Sequence, residues 1–391
     1  MYPRETNPLI VFDPNPMCFG ATSAMLHIGQ HLESLDMAVL ATGSSMQLAA
    51  KSGLQVIPCD VRSPQAVERT LSTIDRRYLY VSISNQSNIP FLLHCQQPFV
   101  YIDILFWLGR GANPAMRSAS AYIIENFPGV MERLDRMTSS ILQPHLIGPL
   151  VQSRRSTGDA GSSKKSIVVN LGGAESPRLH PGVNTDYPVH MVKLVLQWAR
   201  SSQLAKERRI HIGTGARAVE CIRDQVDLPE HVEVDTYPLD HFNTLISESN
   251  VFITAPGLNA PFEGFQAQVP VVFLPPQNPT QVFQLRAYRA HGIHADIPIS
   301  LEELCELPPL DTALCEDTST KVVLERLRVL FRTQAAQERM ALALRTQLER
   351  VADPVQRIDR IAAQDRFMEA LGKNGPLEAA SIIKDVACAL Q

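Results

Sequence analysis

Residues 249–284 read SNVFITAPGLNAPFEGFQAQVPVVFLPPQNPTQVFQ and carry the densest set of side chains able to do chemistry in this chain. Residues 251–254 are a short β-branched run that predicts a strand. Ala255, Pro256 and Gly257 then turn the chain, and residues 259–268 have helical spacing. A helix that begins just past a strand's carboxyl end aims free N–H groups and the positive end of its dipole at that place, which suits phosphate oxygens. Pro256, Gly257, Leu258 and Asn259 are the candidates for that contact. Glu263 falls about one turn into the helix, where a carboxylate accepts hydrogen bonds from both hydroxyls of a ribose. After a second apolar run at 271–274, Gln277, Asn278 and Gln281 supply amides and Thr280 a hydroxyl, a set suited to the hydroxyls of a sugar. Gly257 or Glu263 alone reads more simply as a turn glycine or a solvated carboxylate; the combination points to a nucleoside diphosphate carrying a sugar.

These groups need a scaffold, and the rest of the chain describes one. In the first half, apolar runs at 9–12, 38–41, 55–57, 79–84, 99–102 and 121–124 alternate with helical stretches, the pattern of a parallel sheet covered on both faces. Residues 146–150 close that series, and SRRSTGDAGSSKK follows, polar and without periodicity, as a linker. A second series places strands at 167–171, 209–213, 232–235, 251–254 and 271–274. Gly172 and Gly173 follow the first of these, and Gly213 and Gly215 flank the end of the second, each repeating the glycine turn after a strand. From residue 321 the chain is helical, with Asp353 and Pro354 opening one helix and residues 372–375 separating it from the last. The expected fold is therefore α/β: two doubly wound, Rossmann-like domains facing a cleft. The first spans 1–150, the linker 151–165 and the second 166–352. Helices at 353–391 are expected to pack back on the first domain.

Composition narrows the function. The 391 residues are 45% hydrophobic and 19% charged, with 36 Lys and Arg against 40 Asp and Glu, a net charge of −4 that argues against a nucleic-acid surface. No apolar run reaches eighteen residues and the first residues lack a signal-peptide core, so a cytoplasmic protein without a membrane span is expected. The seven cysteines are scattered and show no CxxC spacing, which speaks against structural zinc and a disulfide framework.

At this point the residues resemble nucleotide-sugar glycosyltransferases of the GT-B fold. The resemblance lies in Ile147, Gly148, Pro149 and Leu150 at the domain junction, the Gly172 and Gly173 loop, the Gly213 to Gly215 turn, and the segment quoted above. The text TAPGLNAPFEGF, VVFLPPQNPTQ and, in the first domain, YIDILFW is similar to the cytosylglucuronate synthases of nucleoside-antibiotic pathways. The resemblance implies a UDP-sugar donor such as UDP-glucuronate, an acceptor such as cytosine or another small molecule, inversion at the anomeric carbon, and no cofactor. The nearest other enzymes on this fold are nucleotide-sugar 2-epimerases and transferases with a lipid or peptide acceptor. A reading of a different class is an inactive accessory subunit, and self-association as a homodimer is the protein partnership to consider.

Asp-x-Asp, which holds a metal in many glycosyltransferases, is absent from the chain. Glu233 and Asp235 are the nearest imitation, on a strand away from the donor loops. Helix N-termini and backbone amides around residues 255–259, with the two glycine turns, are therefore expected to replace a cation. The acceptor's proton must go to a group of the first domain. Asp13, on the loop after the first strand, leads, with Cys18, Phe19 and Gly20 as acceptor contacts further along that loop. Asp103 is the alternative catalytic carboxylate, with Phe106 and Trp107 stacking on a flat acceptor. A uronate donor calls for a cation, and Arg178 and Arg286 are the residues placed for it.

Overall fold

The computed structural model describes residues 7–17, 19–109, 113–137, 144–152, 166–172, 183–206, 208–294, 297–311 and 314–390. The chain separates into two compact units, one of residues 1–153 and 371–391 and the other of residues 154–370.

The first unit holds seven parallel strands: β1 (Leu9–Pro14), β2 (Met37–Ala41), β3 (Gln55–Pro58), β4 (Tyr78–Ile83), β5 (Phe99–Asp103), β6 (Ala121–Glu125) and β7 (Pro144–Ile147). They lie in the order β3-β2-β1-β4-β5-β6-β7. Strands β1, β5 and β6 are buried at every position, as a sheet covered on both faces requires, and their sequences are correspondingly continuous in Val, Ile and Phe. The edge strand β7 was not expected. Its first three residues are exposed and open on a proline, so no apolar pattern marks it; pairing from Tyr122↔Pro144 to Glu125↔Ile147 creates it.

The second unit holds β8 (Ser166–Asn170), β9 (Arg209–Gly213), β10 (Val232–Asp235), β11 (Ser249–Thr254) and β12 (Val271–Phe273), all parallel, in the order β10-β9-β8-β11-β12. Each strand expected in this half is present. Behind β11 and β12, Phe262, Phe265, Phe273, Tyr288 and Phe367 form an aromatic core with ring centroids 5.2–6.5 Å apart.

The helical tail divides between the two units. Helix Pro354–Leu371, expected on the first domain, packs on the second, because it supplies Phe367 to that aromatic core and Gln364 to β12. β12 is an edge strand, and its outer face is paired by side chains. Gln347 accepts from Phe273 N at 3.0 Å and donates to Phe273 O at 3.0 Å, while Gln364 accepts from Val271 N at 2.9 Å and donates to Val269 O at 3.0 Å. Two amides thus take the place of a further strand and close an edge that would otherwise be open.

Only the last helix, Gly375–Cys388, belongs to the first unit, where it lies on helix Gly20–Gly29 and on β6 and β7. Glycine permits this docking. A Cβ on Gly375 would stand 2.1 Å from Gly148 O, and one on Gly148 would stand 2.8 Å from Lys373 N, so the two backbone segments meet where no side chain fits. Asn126 Nδ2 donates to Leu371 O at 2.9 Å and completes the junction. No helix among the described residues is long and apolar enough to cross a membrane.

Candidate functional site

In an open parallel sheet a ligand binds beyond the carboxyl ends of the strands, where the strand order reverses direction. In the second unit that reversal lies between β8 and β11. Residues 171–172 and 255–257, the glycine turns singled out above, flank it. Gly172 has φ +70, a conformation that L side chains rarely adopt, and its N–H donates to Asn170 Oδ1 at 2.8 Å. Gly257 closes a tight turn in which its N–H donates to Ala255 O at 2.7 Å.

Helix Asn259–Gln266 starts directly after this turn, with Leu258 at its N-cap and Asn259 buried at its first position. Pro261 has no N–H to give, so the first-turn donors come from Asn259 and Ala260. Glu263 is half-buried on the same helix. The amide cluster follows β12. Asn278 is the N-cap of helix Pro279–Ala290 and accepts from Gln281 N at 2.9 Å, while Gln281 Oε1 accepts from Gln277 N at 2.9 Å. The carbonyl oxygens of Asn278 and Gln281 are therefore engaged inside the protein, and NH2 groups are what these two amides offer a ligand. Gln277 Nε2 reaches over β11 to Leu171 O at 3.3 Å, and so bridges the two sides of the crevice.

Gly213 and Gly215 lie at the end of β9, one strand away from this reversal. A Cβ on Gly213 would lie 2.6 Å from the Phe242 ring, so that glycine serves packing; Gly215 is the N-cap of helix Ala216–Gln225. Gly173 lies outside the described residues.

In the first unit the strand order reverses between β1 and β4. Asp13 stands at this point and is fully buried. Its carboxylate accepts from Tyr80 OH at 2.5 Å, Asn85 Nδ2 at 2.8 and 3.0 Å, and Asn88 Nδ2 at 2.9 Å, and both asparagines also donate to Val61 O. Burial pushes Asp13 up to about 6, against the three donors that favour its charged form. The sequence expectation of Asp13 as a proton acceptor thus meets a carboxylate sealed in a cage.

Asp103, at the end of β5, keeps 7% of its surface exposed. Tyr122 OH donates to one oxygen at 2.6 Å and Leu105 N to the other at 3.0 Å; burial raises this carboxyl as well. Phe106, expected to stack on an acceptor, is instead core. It is 1% exposed, with the Arg133 guanidinium 4.5 Å over its ring and also donating to its carbonyl. Trp107 is half-buried beside Phe127, ring centroids 4.7 Å apart. Phe19 and Gly20 begin helix Gly20–Gly29, both half-buried, and Cys18 lies outside the described residues.

No protein-family model and no curated protein sequence matches the chain. Solved structures do match. The glycotransferase of kitacinnamycin covers 98% of this chain and 100% of its own at 15% identity, with a TM-score of 0.52. A spinosyn rhamnosyltransferase solved with thymidine diphosphate covers 97% and 99% at 13% identity and TM-score 0.54. The spinosyn forosaminyltransferase covers 97% and 99% at 14% identity and TM-score 0.52. The chain has the GT-B fold. At this identity the likeness concerns the course of the backbone, and substrate must be argued from side chains.

Several residues at the two crevices escaped the sequence reading. Tyr80, Asn85 and Asn88 cage Asp13 from three separate positions on and after β4, and no local pattern announces them. Thr214 and Thr236, each the first residue after its strand, link neighbouring loops of the second unit: Thr236 Oγ1 donates to Thr214 O at 2.8 Å, and Thr214 Oγ1 to Gly172 O at 3.1 Å. Their signal was only positional, a small hydroxyl residue directly after a strand. Arg286, expected near a uronate, is held by Glu302 Oε1 and Leu310 O, both at 3.1 Å, and lies over the Phe283 ring; it is a structural cation. Arg178 lies outside the described residues.

Proposed function

We propose that this protein is a glycosyltransferase that moves a sugar from a nucleoside diphosphate, bound by the second unit, to a small-molecule acceptor bound by the first. The observation that carries this reading is the crevice at the β8/β11 reversal. A left-handed glycine, a tight glycine turn and a helix N-terminus meet there, with Glu263 on that helix and the Gln277, Asn278 and Gln281 amides on the next loop. In the transfer, the bond from the anomeric carbon to the diphosphate oxygen breaks while the acceptor's bond to that carbon forms, with inversion. Negative charge grows on the leaving diphosphate, and N–H dipoles fixed at the crevice stabilise it without a cation. Glu263 takes the ribose hydroxyls, and the amide NH2 groups take hydroxyls of the sugar.

The acceptor's proton goes to Asp103. Asp103 keeps 7% of its residue surface where Asp13 keeps none, its carboxylate meets two donors where that of Asp13 meets three, and half-buried Trp107 lies close by in sequence for a flat acceptor. Within this class, the likeness of TAPGLNAPFEGF and YIDILFW to cytosylglucuronate synthases favours UDP-glucuronate as donor and cytosine or a related base as acceptor.

Thermal shift with UDP, TDP, GDP and ADP tests the reading: a ligand at 100 times its Kd adds about 2.7 kcal/mol to a folded state it binds exclusively. A UDP or TDP response that is blunted in Glu263→Ala supports it, and no response to any nucleotide refutes it. Incubation with UDP-glucuronate and cytosine, with and without EDTA, then tests the substrates and the metal-free mechanism separately.

A further inference from the structure

The loops at the carboxyl end of the second sheet share a property beyond the glycine turns: five side chains bind carbonyl oxygens in four of these loops. After β8, Leu171 O accepts from Gln277 Nε2 at 3.3 Å and Gly172 O from Thr214 Oγ1 at 3.1 Å. After β9, Thr214 O accepts from Thr236 Oγ1 at 2.8 Å. After β11, Gly257 O accepts from Tyr288 OH at 2.8 Å, and after β12, Pro275 O accepts from Tyr187 OH at 2.7 Å.

A peptide group has two poles. Fixing the carbonyl on a protein donor removes a partial negative charge from the path of a ligand, and at Thr214 and Gly257 it also fixes the direction of the N–H on the same peptide plane, that of Gly215 and of Leu258; the N–H after Leu171 is held by Asn170, and Pro276 has none. A rim of free carbonyls would repel phosphate oxygens, and it is also what a hard divalent cation seeks, since such ions take oxygen ligands. Tyr187 and Tyr288 are buried with their hydroxyls committed to these carbonyls, and Thr214 is 2% exposed, so the donors are part of the framework and have no rotamer to search for.

We propose that Thr214, Thr236, Tyr187, Tyr288 and Gln277 are positioning residues that turn the carbonyls of the crevice rim away from the ligand, so that the rim reads a diphosphate as a bare anion and offers a divalent cation no ligands. The inference rests on the reading of this crevice as the diphosphate site. It assigns anion selectivity to five side chains that do not themselves touch the phosphates.

The test is titration calorimetry on the full chain with UDP and with uridine, each with and without Mg²⁺. Thr214→Val, Tyr288→Phe and Gln277→Met remove single donors, and Thr214→Ser keeps the hydroxyl. The expected result is that the three deletions weaken UDP binding about three- to tenfold, the size of one lost hydrogen bond, while uridine affinity changes by less than about twofold. Thr214→Ser should bind as the wild type does, and Mg²⁺ should restore UDP affinity in Thr214→Val while leaving the wild type unchanged. Equal weakening of UDP and uridine in the variants overturns the inference, since it marks a merely structural role. Gln277→Met, at a half-buried loop position, keeps that comparison available if the buried variants fail to fold. A wild type that binds uridine as tightly as UDP overturns the diphosphate reading of the crevice itself.

Discussion

Glu125 should destabilise the first unit at neutral pH, and replacing it by glutamine should make the protein more stable. The residue ends β6 and is completely buried; one carboxyl oxygen accepts from Leu150 N at 2.7 Å, and the other has no hydrogen-bond partner among the described residues. Burial pushes this carboxyl from its ordinary 4.5 up to about 8. The folded pKa exceeds the unfolded one, so folding takes up a proton. The stabilising contribution is complete below about pH 4.5 and is lost as pH rises toward 8. Between pH 4.5 and pH 7 the loss amounts to on the order of 3 kcal/mol, at about 1.36 kcal/mol for each tenfold fall in proton concentration. Glutamine keeps the acceptor for Leu150 and puts an NH2 where the protonated acid already holds a proton without a partner. Glu125→Gln should therefore gain on the order of 3 kcal/mol at pH 7 and little at pH 4. The two tryptophans make this measurable, because Trp107 lies in the first unit and Trp198 in the second. In a Trp198→Phe background, Trp107 fluorescence follows urea unfolding of the first unit alone, and the gain should move the midpoint by about 1 M or more. A variant that is less stable than its parent at pH 7, or that gains equally at pH 4, would refute the reasoning by showing Glu125 ionised and paired.

Three further outcomes are expected. Asp103→Asn should lower turnover by about 10²–10⁴-fold with nucleotide affinity intact, and should remove an acidic limb of the kcat/KM profile lying above ordinary aspartate values; an unchanged profile would assign proton removal elsewhere. Gln347→Leu and Gln364→Leu each leave two backbone groups of the β12 segment unpaired, and each should cost about 2–4 kcal/mol in denaturant unfolding, with the largest loss of hydrogen-exchange protection at β12. Gly375→Ala places a methyl inside the Gly148 carbonyl, so protease should cut helix Gly375–Cys388 from the first unit sooner than in the parent; equal cutting rates would show that the contact relaxes without loss.

Much of the scaffold is legible because parallel sheets write themselves as continuous apolar runs. Val11, Val39, Val81, Val100 and Ile123 sit at the middle of buried strands and announce them locally. β7 is invisible for the complementary reason: exposed Pro144, His145 and Leu146 pair only because β6 is already there. The glycine turn at 172 is legible because its backbone geometry dictates the residue type, whereas Asn278, read as an amide for a sugar, also serves as a helix N-cap. Gly213 shows the limit, since a glycine required by Phe242 looks the same in the sequence as one required by a phosphate.

What the amino-acid sequence determined by itself is therefore the local grammar: where strands end, where helices begin, and that residues 249–284 gather a glycine turn, a helix start, a carboxylate and an amide cluster in one segment. Tertiary structure alone decided which of those side chains remain available. Asp13 and Asp103 are alike in sequence, each at a strand's carboxyl end, and only distant groups separate them: Tyr80, Asn85 and Asn88 close over the one, while the other meets Tyr122 and Leu105 and keeps 7% of its residue surface. The physical reason is that a strand's period and a turn's dihedral angles depend on near neighbours, whereas desolvation and hydrogen bonding depend on groups brought together from tens or hundreds of residues away.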